Sequence, residues 1–401
     1  MATTKVSGEL VDLNESTSES GLKMPSGTQF NRPTAVAGQI RNNTNETSAG
    51  SSSCMEYYKS GAWQKINNVT IPPVGSENFN IVLYSGNSST QAITGVGFQP
   101  DWVWIKERGP LVEQSNLYDS TRGVQKFLVS NDTASEVTGS ANRLNAFNAD
   151  GFTVGSDNEI NDSGSTYVAW CWKANGGTTS SNGNGDITST VQANVDAGFS
   201  IITYTGNGSA AQTVGHGLNV APDLLIVKER SGSNSWDDWT VGSDVIANWA
   251  QNIRLNTSGA QFVGYNGAPF ANTPPTSTVF TVDYQGGAGI NGSGDTFVAY
   301  AFASITGYSK VGTYSGTGSS NSITGLGFQP AWVMIKSTSS TEDWAIFDES
   351  RGANVFLTAN TNAAEQSFSG FSFDSDGFTV PGTSGMTNGS GQTYLYLAFS
   401  T

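Results

Sequence analysis

Few side chains in this sequence have the types and spacing needed for chemistry. His216 is the only histidine, and the two cysteines, Cys54 and Cys171, lie far apart in the chain. One histidine and two distant cysteines do not make up the usual ligands of a zinc site. A Ser-His-Asp triad would have to use His216, which stands in the middle of a Gly-x-Gly turn and is better explained as a turn residue. We therefore predict no catalytic residue, no metal and no cofactor.

Paired carboxylates are the remaining route to catalysis, because glycoside hydrolysis needs two of them and no metal. Asp119 and Asp348 lie in loops that also contain an arginine, where an aspartate–arginine pair that holds the loop is the simpler interpretation. Asp237 and Asp238 are the other candidates. The Asp-Gly pairs of the chain are typical of turns, since they lack the dense ligand spacing of a calcium loop.

Trp236 and Trp239 are the aromatic residues best suited to binding, because they lie in a segment rich in Ser, Asn and Asp. Flat rings beside carboxylates and amides are what a sugar-binding cleft uses. The candidate ligand-binding residues are therefore Trp236, Asp237, Asp238 and Trp239. The alternative is core packing, since a buried tryptophan covers a large apolar area. This alternative applies above all to Trp239, because an Asp-Trp pair recurs at residues 343–344.

These residues lie within a sequence pattern that occurs three times. Its centre is a Gly-x-Gly turn, a proline and an apolar run that ends in lysine, and the copies are Gly95–Lys106, Gly215–Lys228 and Gly325–Lys336. Glycine permits the turn, proline fixes the next bend, and a run of Trp, Val, Ile and Leu is typical of a strand. Because the run is apolar on both faces, we predict a core strand covered on both sides, whose terminal lysine reaches water.

Further strands on either side extend each copy to the size of a small domain. The chain contains 48 glycines and only 13% charged residues, a turn-rich balance that favours all-β architecture. We predict a small N-terminal module over residues 1–75, followed by tandem homologous β-sandwiches over residues 76–175, 176–304 and 305–401. The middle copy lacks an Asp-x-x-Arg-Gly loop and adds a Pro-rich insertion over residues 267–275, and variable loops on a repeated scaffold usually carry binding.

Composition excludes several classes of function. The net charge of −15 argues against binding to nucleic acid or to an anionic membrane, which needs a basic surface. No stretch approaches the ~18 apolar residues of a membrane span. Two cysteines in unrelated segments do not indicate a disulfide framework. The N-terminus lacks the apolar core of a signal peptide, so classical secretion is not encoded.

The segment before the repeats has its own signature. An Arg-Pro…Gly-x-Ile-Arg-x-Asn…Glu-Tyr-Tyr…Gly-x-Trp string runs from Arg32 to Trp63. Over residues 22–66 the chain resembles the small β-module of many tailed-phage fibre and other virion proteins. The three repeats resemble domains common in marine-phage structural proteins, which are described as lectin-like sandwiches. This resemblance implies a jelly-roll or concanavalin-like fold, and it names no binding residues.

The resemblance implies a non-enzymatic virion structural protein: a fibre, spike or surface-decoration subunit, assembled in the host cytoplasm and exposed on the particle. Its N-terminal module would bind other virion proteins, and the chain would form a homo-oligomer, with a trimer favoured. Host glycan or receptor would bind to exposed loops. A polysaccharide-degrading tail spike is the first alternative, although no long parallel β-helix pattern is present. A secreted bacterial lectin or adhesin is the second, although a signal peptide is missing.

Overall fold

The computed structural model describes residues 75–111, 113–231, 238–264, 267–284, 289–382 and 384–401, together with the backbone of six strands before residue 66. The chain divides into two compact units, Met1–Ile71 and Pro72–Thr401, which we call unit 1 and unit 2. Strands that pair mostly antiparallel make up both units. The all-β class predicted from the sequence is confirmed.

Unit 1 contains two small sheets. Its strands are β1 (Thr4–Val6), β2 (Glu9–Val11), β3 (Ser26–Gly27), β4 (Ile40–Asn43), β5 (Cys54–Lys59) and β6 (Ala62–Lys65). Within the Glu-Tyr-Tyr…Gly-x-Trp string, β5 and β6 form a hairpin with Tyr58 opposite Trp63. Strands β1 and β2 form an antiparallel pair, with Thr4 opposite Val11.

Residues 75–175, which we call repeat 1, fold into a six-stranded sheet and a three-stranded sheet. The orders are β12-β11-β10-β9-β15-β7 and β13-β14-β8. The elements are a 3₁₀ turn at Gly75–Glu77, then β7 (Phe79–Ser85), β8 (Gln91–Ile93), β9 (Trp102–Glu107), β10 (Asn116–Asp119), β11 (Lys126–Val129), β12 (Val137–Thr138), β13 (Leu144–Asn148), β14 (Gly151–Val154), α1 (Asn158–Asn161) and β15 (Thr166–Trp172).

Residues 176–304, which we call repeat 2, contain a large sheet like that of repeat 1, with additional strands at one edge. The strands are β16 (Ser180–Asn182), β17 (Ser189–Asn194), β18 (Phe199–Thr205), β19 (Gln212–Gly215), β20 (Leu224–Glu229), β21 (Thr240–Ser243), β22 (Ile253–Arg254), β23 (Val279–Val282) and β24 (Thr296–Phe302), with a 3₁₀ turn at Ala247–Trp249. The large sheet has the order β16-β17-β18-β24-β20-β21-β22, and the small sheet is β19-β23. Trp249 and Phe270 are buried in the core between the sheets.

Residues 305–401, repeat 3, return to the arrangement of repeat 1. The elements are β25 (Ser309–Ser315), β26 (Asn321–Thr324), β27 (Trp332–Ser337), β28 (Ala345–Asp348), β29 (Val355–Thr358), β30 (Gln366–Ser367), β31 (Ser372–Asp374), β32 (Gly377–Val380), α2 (Gly385–Asn388) and β33 (Thr393–Phe399). The large sheet has the order β25-β33-β27-β28-β29-β30, and the small sheet is β26-β32-β31. In all three repeats the strand of the repeated pattern, β9, β20 or β27, therefore pairs with the closing strand of its repeat.

Buried apolar side chains of the described residues form four clusters. Three of them fill the space between the two sheets of each repeat. The fourth, which we call the central core, contains side chains from the large sheets of all three repeats. In it the rings of Trp102 and Tyr300 stack at 4.4 Å, Phe79 stacks on Phe399 at 5.2 Å, and Trp172 packs edge-on against Trp332 at 5.6 Å. The large sheets thus surround one shared core, and we call this arrangement the ring.

The central core explains why the repeated strands are apolar on both faces. Every residue of β9, β20 and β27 is buried, so the prediction of strands covered on both sides is confirmed. The prediction that their terminal lysines reach water is wrong. Lys106, Lys228 and Lys336 are 1%, 0% and 0% exposed, because the neighbouring repeat covers the end of each strand.

The connections between repeats are also packed. The carboxylate of Asp101 accepts hydrogen bonds from the backbone nitrogens of Ala174, Gly176 and Gly177, so the start of the Gly-rich connection between repeats 1 and 2 is held. Repeats 2 and 3 touch, since Phe302 packs edge-on against Phe399, 6.0 Å between ring centres. Tyr308 of the joint between them is buried and also packs against Phe399, 5.7 Å between ring centres.

Candidate functional site

The ring has two distinct ends. At the entry end, Gly75 lies so close to the last residue that an added Cβ would be 2.6 Å from the carbonyl carbon of Thr401, so the described part of unit 2 begins and ends there. Strands β9, β20 and β27 start at the entry end, where Trp102 and Trp332 pair with the ends of the closing strands. The described residues that follow these strands therefore lie at the opposite end, which we call the far end. The candidate ligand-binding segment belongs to the loop between β20 and β21.

Trp239, a candidate ligand-binding residue, is fully buried in the central core. Its indole Nε1 donates a hydrogen bond of 2.8 Å to the carbonyl oxygen of Val129 in repeat 1. Trp344 makes the same contact one interface further on, since its Nε1 donates to the carbonyl oxygen of Arg254 at 2.9 Å. Trp239 thus joins two repeats, and it has no exposed ring face on which a sugar could stack. This placement agrees with the core-packing alternative.

Asp238 is engaged in holding its loop. Its carboxylate accepts a hydrogen bond of 2.6 Å from Asn256 Nδ2 and forms an ion pair with Arg254. Asn256 in turn accepts a hydrogen bond of 2.9 Å from the backbone nitrogen of Trp239. Repeat 3 contains the same brace, in which Asn360 binds both Asp343 and the backbone of Trp344. The carboxylate of Asp238 therefore positions Trp239.

Trp236 and Asp237 lie outside the described residues. The described chain stops at Ser231 and resumes at Asp238, so the structure brings two of the four candidate residues, Asp238 and Trp239, into one place. Both serve the contact between repeats 1 and 2. A recognition role for this segment thus depends on Trp236 and Asp237.

A buried ionic network, which sequence reasoning identified only in part, lies where repeat 2 meets repeat 1. Asp119 pairs with Arg122, as expected for an aspartate–arginine pair that ties down its loop. The pair also reaches across the interface, because Tyr300 of repeat 2 donates a hydrogen bond of 2.7 Å to Asp119 Oδ2. Glu136 accepts a hydrogen bond of 3.0 Å from Arg122. It also accepts hydrogen bonds of 3.0 and 2.9 Å from Nε and Nη2 of Arg230 in repeat 2.

The same network occurs where repeat 1 meets repeat 3. Asp348 pairs with Arg351 and accepts a hydrogen bond of 2.9 Å from the indole of Trp170 in repeat 1. Glu365 accepts hydrogen bonds from both Nε and Nη2 of Arg108, each of 3.0 Å. Trp170 and Arg108 are thus the counterparts of Tyr300 and Arg230. Both of these interfaces are heterologous: one repeat contributes an arginine and a ring donor, and the other contributes the carboxylates.

Among the described residues, the third interface, between repeats 3 and 2, keeps the backbone contact but has no arginine–glutamate pair at the equivalent place. Glu136 and Glu365 donate their backbone N–H to the carbonyls of Arg230 and Arg108, at 2.8 and 3.0 Å. At the equivalent place Gln261 donates to the carbonyl of Thr338 at 2.9 Å. A glutamine and a threonine thus replace the glutamate and the arginine.

The three buried lysines mark the same interfaces. Lys106 Nζ donates to the carbonyl oxygen of Thr361 in repeat 3 at 2.7 Å, and Lys336 Nζ donates to that of Ser258 in repeat 2 at 3.0 Å. Lys228 Nζ donates to Thr133 O in repeat 1 at 3.1 Å. Burial lowers the pKa of Lys106 to about 7 and that of Lys336 to about 8. Sequence analysis identified the recurrence of this lysine in all three copies but assigned it to the solvent, because its partners lie in other repeats.

The carboxylates of these networks are poorly suited to acid–base chemistry. A general acid needs a pKa raised towards the working pH. Burial opposes the ionisation of Glu136, but hydrogen bonding and charge from Arg230 and Arg122 outweigh it and lower its pKa. Asp119 is occupied by Arg122 and by the hydroxyl of Tyr300. Their positions and partners fit a role in holding repeats together.

His216 and the Asp-Gly pairs act in turns. His216 is buried, its Nδ1 accepts the backbone N–H of Leu218 at 3.1 Å, and its Nε2 lies 3.1 Å from the carbonyl oxygen of Thr276. A neutral ring with its proton on Nε2 satisfies both contacts, and burial lowers the pKa of His216 accordingly. Asp150 and Asp376 each accept two backbone N–H groups from the Gly-x-Gly turn of their repeat.

The described part of the chain holds no group of three or more Asp, Glu, His or Cys side chains placed to bind a metal ion. None of its helices has the length and apolar character needed to span a bilayer.

Residues 74–401, which include the whole ring, match the family model of a domain of unknown function (DUF7483). The chain belongs to this family. No curated protein and no solved structure matches it. The DUF7483 match therefore covers most of unit 2 and carries no assigned activity.

Replacing Trp239 by alanine in this DUF7483 chain is expected to destabilise unit 2 by about 3–5 kcal/mol, because a fully buried indole is lost from the central core. Trp239→Phe keeps most of the apolar volume and loses the hydrogen bond to Val129, so it should cost only about 1 kcal/mol. Thermal and urea denaturation measure both. A Trp239→Ala chain that melts with the wild type would contradict the burial.

The buried lysines predict that stability depends on pH. The pKa of Lys106 is about 7 in the fold and near 10.5 in the unfolded chain, so between these values the unfolded state binds a proton that the folded state lacks. Stability contributed by this group therefore rises as pH increases from 7 towards 10. Urea unfolding at pH 7 and pH 9 should show this increase, and Lys106→Met should flatten it.

The matched control is Lys126→Met, which alters a partly exposed lysine of the same repeat and should leave the pH dependence unchanged. Equal slopes for the Lys106→Met variant and the wild type would refute the assignment.

Proposed function

We propose that this DUF7483 chain is a non-enzymatic structural protein of a virion. Unit 1 attaches it to the particle, and the ring displays its loops as part of a fibre, spike or decoration subunit. The observation that carries the proposal is that the reactive side chains of the ring are engaged in contacts between repeats. These side chains include Asp119, Asp348, the three buried lysines, Arg108, Arg230 and most of the described tryptophans. A rigid display scaffold requires such contacts, whereas a catalytic centre requires free groups.

The three repeats share one strand pattern and differ in the loops that follow β9, β20 and β27. Recognition would therefore reside in these loops. Loops on a rigid scaffold are the usual location of recognition.

Host glycan or receptor binding is assigned to the loop between β20 and β21. Asp238 and Trp239 anchor the end of this loop in the interface with repeat 1. The segment before them holds Trp236 and Asp237 among serines and asparagines, a composition that suits stacking on a sugar and hydrogen bonding to its hydroxyls. Single contacts of this kind are weak, so several copies per particle would supply the avidity needed for attachment.

Homotrimerisation of the full chain is assigned to unit 1. The apolar outer faces of the three large sheets are already buried against one another within a single chain. The ring therefore has no need of further copies to cover them. Small sheets such as those of unit 1 gain most from pairing or packing between chains.

Deletion of residues 1–71 tests attachment and oligomerisation together. We expect the truncated chain to remain folded, because unit 2 contains all four apolar clusters, but to be absent from purified particles. Mass photometry should show a trimer for the full chain and a monomer for residues 72–401. Normal incorporation of the truncated chain would refute attachment through unit 1. A full chain that is monomeric both free and on the particle would refute the trimer.

Trp236→Ala tests recognition. We expect weaker binding to host cells with little change in melting temperature, because this role requires an exposed ring, which contributes little to a core. Asp237→Asn serves as a second probe of the same loop. Trp239→Ala is the matched comparison, since it should lower stability. A Trp236→Ala chain that folds and binds normally would place recognition elsewhere, and one that unfolds would make Trp236 a core residue.

A further inference from the structure

Each interface of the ring has two different sides. The side that contributes an arginine and a ring donor we call the donor side, and the side that contributes the carboxylates we call the acceptor side. The donor side of repeat 1 is Arg108 and Trp170, which bind repeat 3. The acceptor side of repeat 1 is Asp119 and Glu136, which bind repeat 2. Repeat 1 therefore has both sides.

Each of the other repeats has only one of these two sides. Repeat 2 has the donor side, Arg230 and Tyr300, but Ser243 stands where repeat 1 has Asp119 and Gln261 where it has Glu136. Repeat 3 has the acceptor side with Asp348 and Glu365. Its donor position holds Thr338 in place of Arg108, and Leu397 occupies the place of Trp170. The side of repeat 2 without these carboxylates meets the side of repeat 3 without the arginine and the ring donor.

We propose that repeat 1 is self-complementary, so that three copies of it alone close a homotrimeric ring in which Arg108 of each copy binds Glu136 of the next. When repeat 1 is produced alone, the surfaces that contact repeats 2 and 3 in the full chain become exposed. The partner that fits these surfaces is a second copy of the same repeat. Such an assembly is cyclic and closed, because every copy uses one donor side and one acceptor side.

The contacts that this trimer requires already occur in the chain. Bidentate binding of Arg108 to a glutamate is seen with Glu365, and bidentate binding of Glu136 to an arginine is seen with Arg230. Trp170 would face Trp102 of the next copy. It already packs edge-on at 6.3 Å against Trp332, which holds the position of Trp102 in repeat 3. The Trp170 indole already donates to Asp348, the counterpart of Asp119.

Repeat 1 has what it needs to fold independently. All strand pairs of its two sheets lie within residues 79–172, and the cluster between the sheets is made of its own residues. The outer face of its large sheet contacts the other repeats, as do the ionic side chains described above. That face carries Phe79, Trp102, Trp104, Trp170 and Trp172. An aromatic surface of this extent does not stay exposed on a soluble monomer and must be covered.

The test is the oligomeric state of residues 72–178 expressed alone. Light scattering and mass photometry should give a trimer, with tryptophan emission as blue-shifted as in the full chain. Arg108→Glu should convert the trimer to monomer or to irregular aggregates, because it places a carboxylate against Glu136. Arg108→Lys keeps the charge and should retain the trimer. A monomeric or irregularly aggregated wild-type fragment, or a trimer that survives Arg108→Glu, would overturn the proposal.

Complementation shows whether the fragment folds. Residues 72–178 and residues 179–401, when produced together, should form a one-to-one complex through Arg108–Glu365 and Arg230–Glu136. A fragment that complements residues 179–401 but forms no trimer by itself would refute self-complementarity. A fragment that does neither also counts against the proposal, which requires repeat 1 to fold independently.

Discussion

The ring depends on one constraint: each large sheet is apolar on both faces and must be covered twice. The small sheet of the same repeat covers one face. The other face carries tryptophan, tyrosine and phenylalanine, and the remaining two repeats cover it in the central core. Aromatic side chains of this size each bury about 150–250 Å², so leaving the face open would cost far more than ordering the joints between repeats. The repeats are therefore parts of one body and not independent beads.

The same constraint accounts for the buried charges. Where the large sheets meet, lysine and arginine side chains lose their water and must find partners, because an unpaired buried charge is very costly. Lys106 donates a hydrogen bond to a backbone carbonyl oxygen, and Arg108 binds a carboxylate in bidentate geometry. Apolar side chains in a core tolerate some sliding of one sheet against another. The lysine and arginine contacts, in contrast, form only when the sheets are aligned in one position. These lysine and arginine contacts thus determine how the repeats fit against one another around the central core.

Sequence reasoning recovered what is local and missed what arises between repeats. The all-β class, the strands buried on both faces and the Asp119–Arg122 pair follow from the residues of one copy. The burial of Lys106 does not, because a lysine at the end of a strand usually extends its amine to water. Its partner, the carbonyl of Thr361, lies in another repeat. Trp239 was ambiguous for the same reason, since the carbonyl that binds its indole belongs to repeat 1.

The ion pairs do not follow the covalent links between repeats. Repeats 1 and 3 have no direct covalent link, and Arg108 binds Glu365 across their interface. Repeats 1 and 2 are joined by the short segment between Trp172 and Ser180, and Arg230 also binds Glu136 there. Repeats 2 and 3 are joined by the short segment between Phe302 and Ser309, but Thr338 and Gln261 stand at the equivalent place and keep the backbone hydrogen bond. A covalent link therefore neither requires nor replaces the charged pair, and the side chains at each interface determine its chemistry.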